Sequence, residues 1–414
     1  MNYCYAITGV FVPTNMPMSL LSYKYLRGLN MPVDVVAMNH TVDQSLVEKL
    51  SKDPKYKNMH VSFKGQYNDA LFSIHNINLF KALKNVNRYI DRAIEEFDKD
   101  KYNYLFTSSF PAFTTRAGKA IKDKYPDVTW IASFTDPINH SPYKNDARTY
   151  HEYSLPEKVA FNLYCKYYVN DHDEILAFNH ADYFIFICEE QRDYMIEQYL
   201  KTETKYTRED LLKKSIIFPL NYIPEWNDIT KLSGTKKNDV FTFAHFGRVY
   251  GLRDATVFIE AVNELVKEGV QPFIVKQYGE FRKSDKKLIH KYGLDAYFEI
   301  HDQIPYKDAI EEMNRSDILL IFDTIMSDDE IQPYLPSKIL EYSLLEKNTL
   351  TISTPKSPSF RIARASEALV CENKCDAIKE TLRKAFTVEK SVIKYHATND
   401  EAAKALQSIL WYAL

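Results

Sequence analysis

Glycine is scarce in this chain, 10 among 414 residues, so a nucleotide site built from a run of glycines has little sequence to rest on. Cysteine is scarce too. Its five positions, Cys4, Cys165, Cys188, Cys371 and Cys375, are odd in number and scattered, which argues against a disulfide framework and for a reducing compartment. Cys371 and Cys375 have no neighbouring histidine or second pair, so no zinc site is expected. No apolar run approaches the roughly 18 residues of a membrane span, and no signal-peptide pattern opens the chain. The expectation is a cytoplasmic protein, at most peripheral at the inner face of a membrane. A net charge of −3 offers no global basic field, so nucleic acid is not an expected partner.

What is abundant is globular. Apolar residues make up 45% and charged residues 26%, with 30 tyrosines and 24 phenylalanines. The length implies two domains of roughly 200 residues each. Short apolar runs alternate with amphipathic stretches throughout, which is the pattern of βα units and parallel sheets. The polar segment 226–238, WNDITKLSGTKKN, reads as a linker, 226–239, between domains at 1–225 and 240–398. The amphipathic piece 399–414 is expected to pack back on the first domain.

One stretch concentrates chemistry: Asp317 to Glu346, DILLIFDTIMSDDEIQPYLPSKILEYSLLE. Ile318 to Phe322 reads as a strand buried on both faces. After a polar loop, Pro336 and Ser337 signal a helix start, with Lys338 and Glu341 one turn apart. A helix N-terminus with one lysine and one glutamate can receive a phosphate and accept from two ribose hydroxyls; the plain alternative is an ordinary strand-loop-helix. Upstream, the strand Val240 to Phe246 runs into Gly247-Arg248-Val249-Tyr250-Gly251-Leu252-Arg253. Gly247 lets backbone approach a ligand, and Arg248 and Arg253 can clamp a diphosphate through planar, bidentate hydrogen bonds; alternatively both are surface residues.

The P-S-K-I-L-E-Y pattern after an aspartate-ended strand resembles the donor-binding segment of glycosyltransferase family 4, and G-R…R resembles that family's G-R…K-G segment, with Arg253 near the place of its lysine. The resemblance is strongest over Val240 to Cys371. It implies a GT-B fold, two Rossmann-like doubly wound domains facing a central cleft. It also implies donor binding by Gly247, Arg248, Arg253, Tyr278, Ile304, Pro336, Ser337, Lys338 and Glu341, with backbone near Ile304 reading the base. Family members commonly carry two glutamates, the first eight positions before the second, the place Glu341 takes. Here the first position is Pro333, and Glu330 lies three residues earlier.

The first half resembles the family more weakly. Cys4 to Val12 followed by Pro13-Thr14-Asn15-Met16-Pro17 is the opening strand, turn and helix; Thr14 and Asn15 stand where the family often has acceptor-contacting glycines. The T-S-S-F-P segment containing Ser109 and the S-F-T-D-P segment containing Asp136 resemble loops of the branch that builds bacterial surface glycans. Asp136 and His140 are candidate catalytic or acceptor contacts; a turn cap and a surface loop residue are the plain alternatives. Asp171-His172-Asp173 spells a D-x-D metal motif, but its amphipathic surroundings place it on a helix rather than after a strand. The helix Met16 to Arg27 covers a sheet face or, alternatively, rests on a membrane.

What the resemblance implies is transfer of a sugar from a nucleotide-diphosphate donor, UDP-linked by preference, to a glycan or lipid-linked acceptor in surface-polysaccharide assembly. The configuration is retained and no metal cofactor is used, Arg248, Arg253 and Lys338 carrying the leaving-group charge. Two alternatives stay open. One is inversion, with Asp136 or His140 as base; the other is a binding or partner subunit that kept the fold without the chemistry.

Overall fold

Buried apolar runs become strands of two all-parallel sheets, because a strand covered by helices on both faces has no polar side to show. The computed structural model describes residues 2–70, 79–109, 112–138, 140–143, 154–156, 158–159, 162–163, 171–227, 229 and 238–412. Phe110, Pro111, Asn139, Cys165, most of the expected helix from His151 and most of the expected linker lie outside the described residues.

The described residues divide into two units, one holding those up to Trp226 together with those from Ala397 onward, the other those from Asn227 to His396. In the first, β1 (Cys4–Val10), β2 (Val33–Asn39), β3 (Met59–Gln66), β4 (Tyr104–Ser108), β5 (Thr129–Ser133), β6 (Tyr183–Phe186) and β7 (Ser215–Ile217) form a sheet in the order β3-β2-β1-β4-β5-β6-β7. In the second, β8 (Phe241–Phe246), β9 (Phe273–Tyr278), β10 (Phe298–His301), β11 (Ile318–Phe322), β12 (Thr349–Ser353) and β13 (Leu369–Glu372) take the order β10-β9-β8-β11-β12-β13. Strand order reverses beside β1 in one sheet and beside β8 in the other. At such switch points successive connections leave to opposite faces and open a crevice at the carboxyl edge, where ligands of this architecture bind.

The helix Pro17–Leu29 buries Tyr23, Tyr25, Leu26 and Leu29 in the first core, alongside Ala402, Ala403 and Leu406 of the helix Asn399–Tyr412. Within this unit the C-terminal helix packs beside the helix Pro17–Leu29. Among the described residues no helix is long and apolar enough to cross a membrane. A buried polar clamp fixes the pair: Arg27 donates to Asp53 at 2.9 Å and to Asn399 Oδ1 at 2.9 Å, while Tyr23 Oη donates to the same Asp53 oxygen at 2.7 Å. Arg27 and Asp53 are both 4% exposed. Removing one partner leaves a buried charge unanswered, which costs roughly 3–5 kcal/mol. Arg27→Met should therefore lose about 3 kcal/mol in urea denaturation; a variant within about 0.5 kcal/mol of the parent would show that the clamp does not hold this helix pair.

Candidate functional site

The carboxyl ends of β8 and β11 and the start of the helix Lys338–Leu344 enclose a cleft of about 140 Å³, lined by His245, Gly247, Arg253, Phe322, Ser337 and Lys338 among others. It lies at the switch point of the second sheet, where the fold leaves room for a ligand. The loop after β8 is pinned across it. Arg253 forms an antiparallel bridge with Thr324, and Ile325 N–H donates to Leu252 O at 3.0 Å. The buried Nε–H of Arg253 has no hydrogen-bond partner among the described residues. An unpaired buried donor costs roughly 1–3 kcal/mol, more on a charged group, so this geometry is one that an anion would complete.

Lys338 pairs with Glu341 at 2.5 Å, one turn along the helix. Ser337 has helical dihedrals and its side chain makes no cap, so its place at the helix start is geometric and its hydroxyl does not serve the backbone. The cleft therefore gathers Gly247, Arg253, Pro336, Ser337 and Lys338, with Glu341 reaching Lys338 from behind.

Arg248 is not in it. Its guanidinium donates to Glu280 at 2.8 and 2.6 Å, its side chain is 63% exposed, and it lines a separate cavity of about 390 Å³ with Glu280, Lys286, His301 and Gln303. Both arginines nevertheless lie over one ring, with Arg248 Cζ 5.2 Å and Arg253 Cζ 5.5 Å from the centroid of Tyr250. The sequence expectation that Arg248 and Lys338 share one cavity thus needs correcting: Arg253 takes that place, because the bridge to Thr324 turns it inward while Glu280 holds Arg248 outside.

Between the two cavities the backbone is tight. Gly279, at φ +117°, lies so close to Gly247 that a Cβ on it would stand 2.6 Å from Gly247 O. Tyr278 is buried in a ladder of stacked rings, 4.7 Å from Phe246 and 4.8 Å from His301, and its hydroxyl donates to Glu312 at 2.8 Å. Its ring and hydroxyl are thus committed within the protein. Ile304 packs against the core beside it and lines neither cavity. Glu330 accepts from Ser327 Oγ at 2.9 Å and is exposed, so it does not fill the position left by Pro333.

Sequence reasoning overlooked three groups. His245 lies in the cleft with Nδ1 2.8 Å from Gln277 Oε1. Gln277 in turn donates from Nε2 to Gly247 O at 2.7 Å. Asp323, fully buried, accepts from Thr324 N–H, Gln332 Nε2 and Ser353 Oγ at 2.7–2.8 Å and so anchors the loop before Lys338; burial raises its pKa. The only available signal was polarity near the end of an apolar strand, in FAHF and FIVKQY.

In the first unit, Thr14 is buried, its backbone carbonyl accepting from Ser19 Oγ at 2.7 Å, and Asn15 donates to Asp43 at 2.8 Å. Ser109 is buried beside β5, its N–H on Ser133 O at 2.8 Å. Its hydroxyl, like those of Thr8, Ser108 and Thr135, has no partner among the described residues. Asp136 and His140 are exposed on the loop after β5; His140 has φ +52° and its carbonyl accepts from Tyr194 Oη at 2.6 Å. The D-x-D motif opens the helix Asp171–His180, and Asp173 is held by Arg116 through two hydrogen bonds of 2.8 and 2.7 Å. Among the described residues no three His, Cys, Asp or Glu side chains cluster as metal ligands.

No family model matches the sequence, and no curated protein matches it. Solved structures do. The chain is similar to Anabaena Alr3699/HepE in complex with UDP and glucose, at 10% identity and a TM-score of 0.54 over 100% of this chain and 95% of that one. It is similar to the lipopolysaccharide outer core galactosyltransferase WaaB in its apo form, at 10% identity and a TM-score of 0.59 over 100% of both chains. A glycosyltransferase from Rickettsia africae ESF-5 aligns at 15% identity and a TM-score of 0.57, over 100% of this chain and 93% of that one. The likeness is one of fold, and the fold is GT-B.

Burial, opposed by the Gln277 hydrogen bond and reinforced by Arg253 and Lys338, lowers the His245 pKa to about 4. An unfolded histidine takes up its proton near pH 6.5, so between about 6.5 and 4 the unfolded chain binds more protons and stability falls as pH falls. His245→Asn should lose less melting temperature than the parent between about pH 7 and pH 5. Equal losses would place the charge of His245 elsewhere.

Proposed function

We propose that this GT-B chain transfers a sugar from a nucleoside-diphosphate sugar, UDP-linked by preference, to a hydroxyl of a glycan or lipid-linked acceptor. The observation that carries the reading is the cleft at the switch point of the second sheet, lined by an arginine with an unsatisfied buried N–H and by a lysine. The family 4 resemblance of G-R…R and P-S-K-I-L-E-Y supports the same assignment, as does the fold shared with glycosyltransferases of solved structure.

In this reading the diphosphate occupies the cleft between Arg253 and Lys338, and the nucleoside extends toward the larger cavity, where Arg248 leaves Glu280 for the phosphates. As the bond from the anomeric carbon to the β-phosphate oxygen breaks, negative charge grows on the diphosphate, and cations fixed in advance stabilise it most in the transition state. The acceptor oxygen forms the new bond to the anomeric carbon. Its proton passes to the departing diphosphate if configuration is retained. Glu330 is turned onto Ser327 and Pro333 stands at the family's first glutamate, which favours keeping a second reading: inversion, with Asp136 or His140 taking that proton. We further propose that the charge is met without a metal, that the product belongs to surface polysaccharide, and that the enzyme works in the cytoplasm or against the inner membrane face.

Thermal-shift titration with UDP and GDP tests the reading. A ligand at one hundred times its Kd should stabilise the protein by about 2.7 kcal/mol. Arg253→Ala and Lys338→Ala should each weaken binding about tenfold or more, as loss of a charge-assisted hydrogen bond does, and Arg248→Ala less. No stabilisation by either nucleotide, or undiminished binding in both cleft variants, would overturn the assignment. NMR of the product's anomeric configuration then separates retention from inversion.

A further inference from the structure

The hydrogen bonds around His245 determine where its proton sits. Gln277 Nε2 donates to a carbonyl, Gly247 O, so it is the amide oxygen of Gln277 that faces His245 Nδ1, and Nδ1 must carry the hydrogen. In the neutral ring Nε2 is then a lone pair, and it has no hydrogen-bond partner among the described residues. The ring lines the same cleft as Arg253 and Lys338. A lone pair facing a phosphate oxygen is repulsive; an N–H there is a strong, charge-assisted donor.

We infer that filling this cleft with the diphosphate of a nucleotide sugar draws one proton from solvent onto Nε2 of His245, Gln277 being the positioning residue that makes Nε2 the site of uptake. The inference rests on the diphosphate reading above. The groups facing the ring explain why uptake waits for the ligand. Arg253, on the loop after β8, and Lys338, at the start of the helix that follows β11, both disfavour a third positive charge. Phe322 meets it edge-on from β11, 4.9 Å between centroids, and Gln277 from β9 is neutral. The nearby carboxylates are already engaged, Glu341 with Lys338 and Asp323 with Thr324, Gln332 and Ser353. A diphosphate answers both cations and supplies the missing acceptor, so the imidazolium becomes the favoured form only in the complex.

Calorimetric titration with UDP-glucose and GDP-mannose tests this, because their diphosphates are diesters whose charge does not change near neutral pH. Near pH 6, binding heats measured in buffers of different ionisation enthalpy should report uptake of about one proton, and affinity should fall by up to about tenfold per pH unit as pH rises from about 5 to 7. His245→Asn should bind with buffer-independent heat and a flat pH profile. Gln277→Glu, which places a carboxylate beside Nδ1 and favours the imidazolium before ligand arrives, should retain binding with reduced uptake. Wild-type binding with buffer-independent heat, or unchanged uptake in His245→Asn, would overturn the inference while leaving the diphosphate site standing. Failure of both sugars to bind, together with no thermal shift from UDP or GDP, would overturn the site itself and this inference with it.

Discussion

Two cations line one cleft, and much of the second unit is arranged around keeping them there. Arg253 and Lys338 come from different elements, and their mutual repulsion would spread flexible side chains into solvent unless backbone and neighbours prevented it. The bridge from Arg253 to Thr324 holds one, and the ion pair with Glu341 holds the other. Asp323, fully buried, ties down the loop that delivers Lys338 through its hydrogen bond from Gln332. His245, between them, stays neutral. Charge, hydrogen bonding and burial are therefore parts of one arrangement, and a change to one member alters the others.

The first unit carries a different signature at the corresponding edge of its sheet. Thr8 follows the run of β1 that pairs with β4, Ser108 ends β4, Ser109 comes directly after it and Thr135 lies just after β5. Their hydroxyls are buried and lack partners among the described residues. Rich in hydroxyls and close to the carboxyl ends, this edge differs from the second unit's edge, where arginine and lysine line the cleft. The contrast follows from residue type alone, since the two sheets have the same doubly wound plan.

Much of the fold was legible because it follows local rules. The buried run Ile318 to Phe322, the helix beginning at Lys338 and the returning C-terminal helix each announce themselves through period and punctuation. Within the candidate site, the P-S-K-I-L-E-Y motif places Pro336, Ser337 and Lys338 at one cleft. The site was not legible where a side chain's role depends on a partner distant in sequence. Tyr278 reads as a ligand contact, yet strand register stacks it between Phe246 and His301 and hands its hydroxyl to Glu312. Arg248 and Arg253 look equivalent along the chain; Glu280 and Thr324 make them different.

The amino-acid sequence by itself determined the alternation of strands and helices, the two-sheet plan and the positions of the positive charges, because periodicity and helix-start chemistry act over a few residues. Tertiary structure alone decided which arginine joins Lys338, where Tyr278 spends its ring, and on which nitrogen His245 carries its hydrogen. Those outcomes rest on parallel pairing that brings β8 against β9 and β11, and on a hydrogen bond between residues 32 positions apart. No local pattern encodes such a contact, since each partner is satisfied only by the other's arrival.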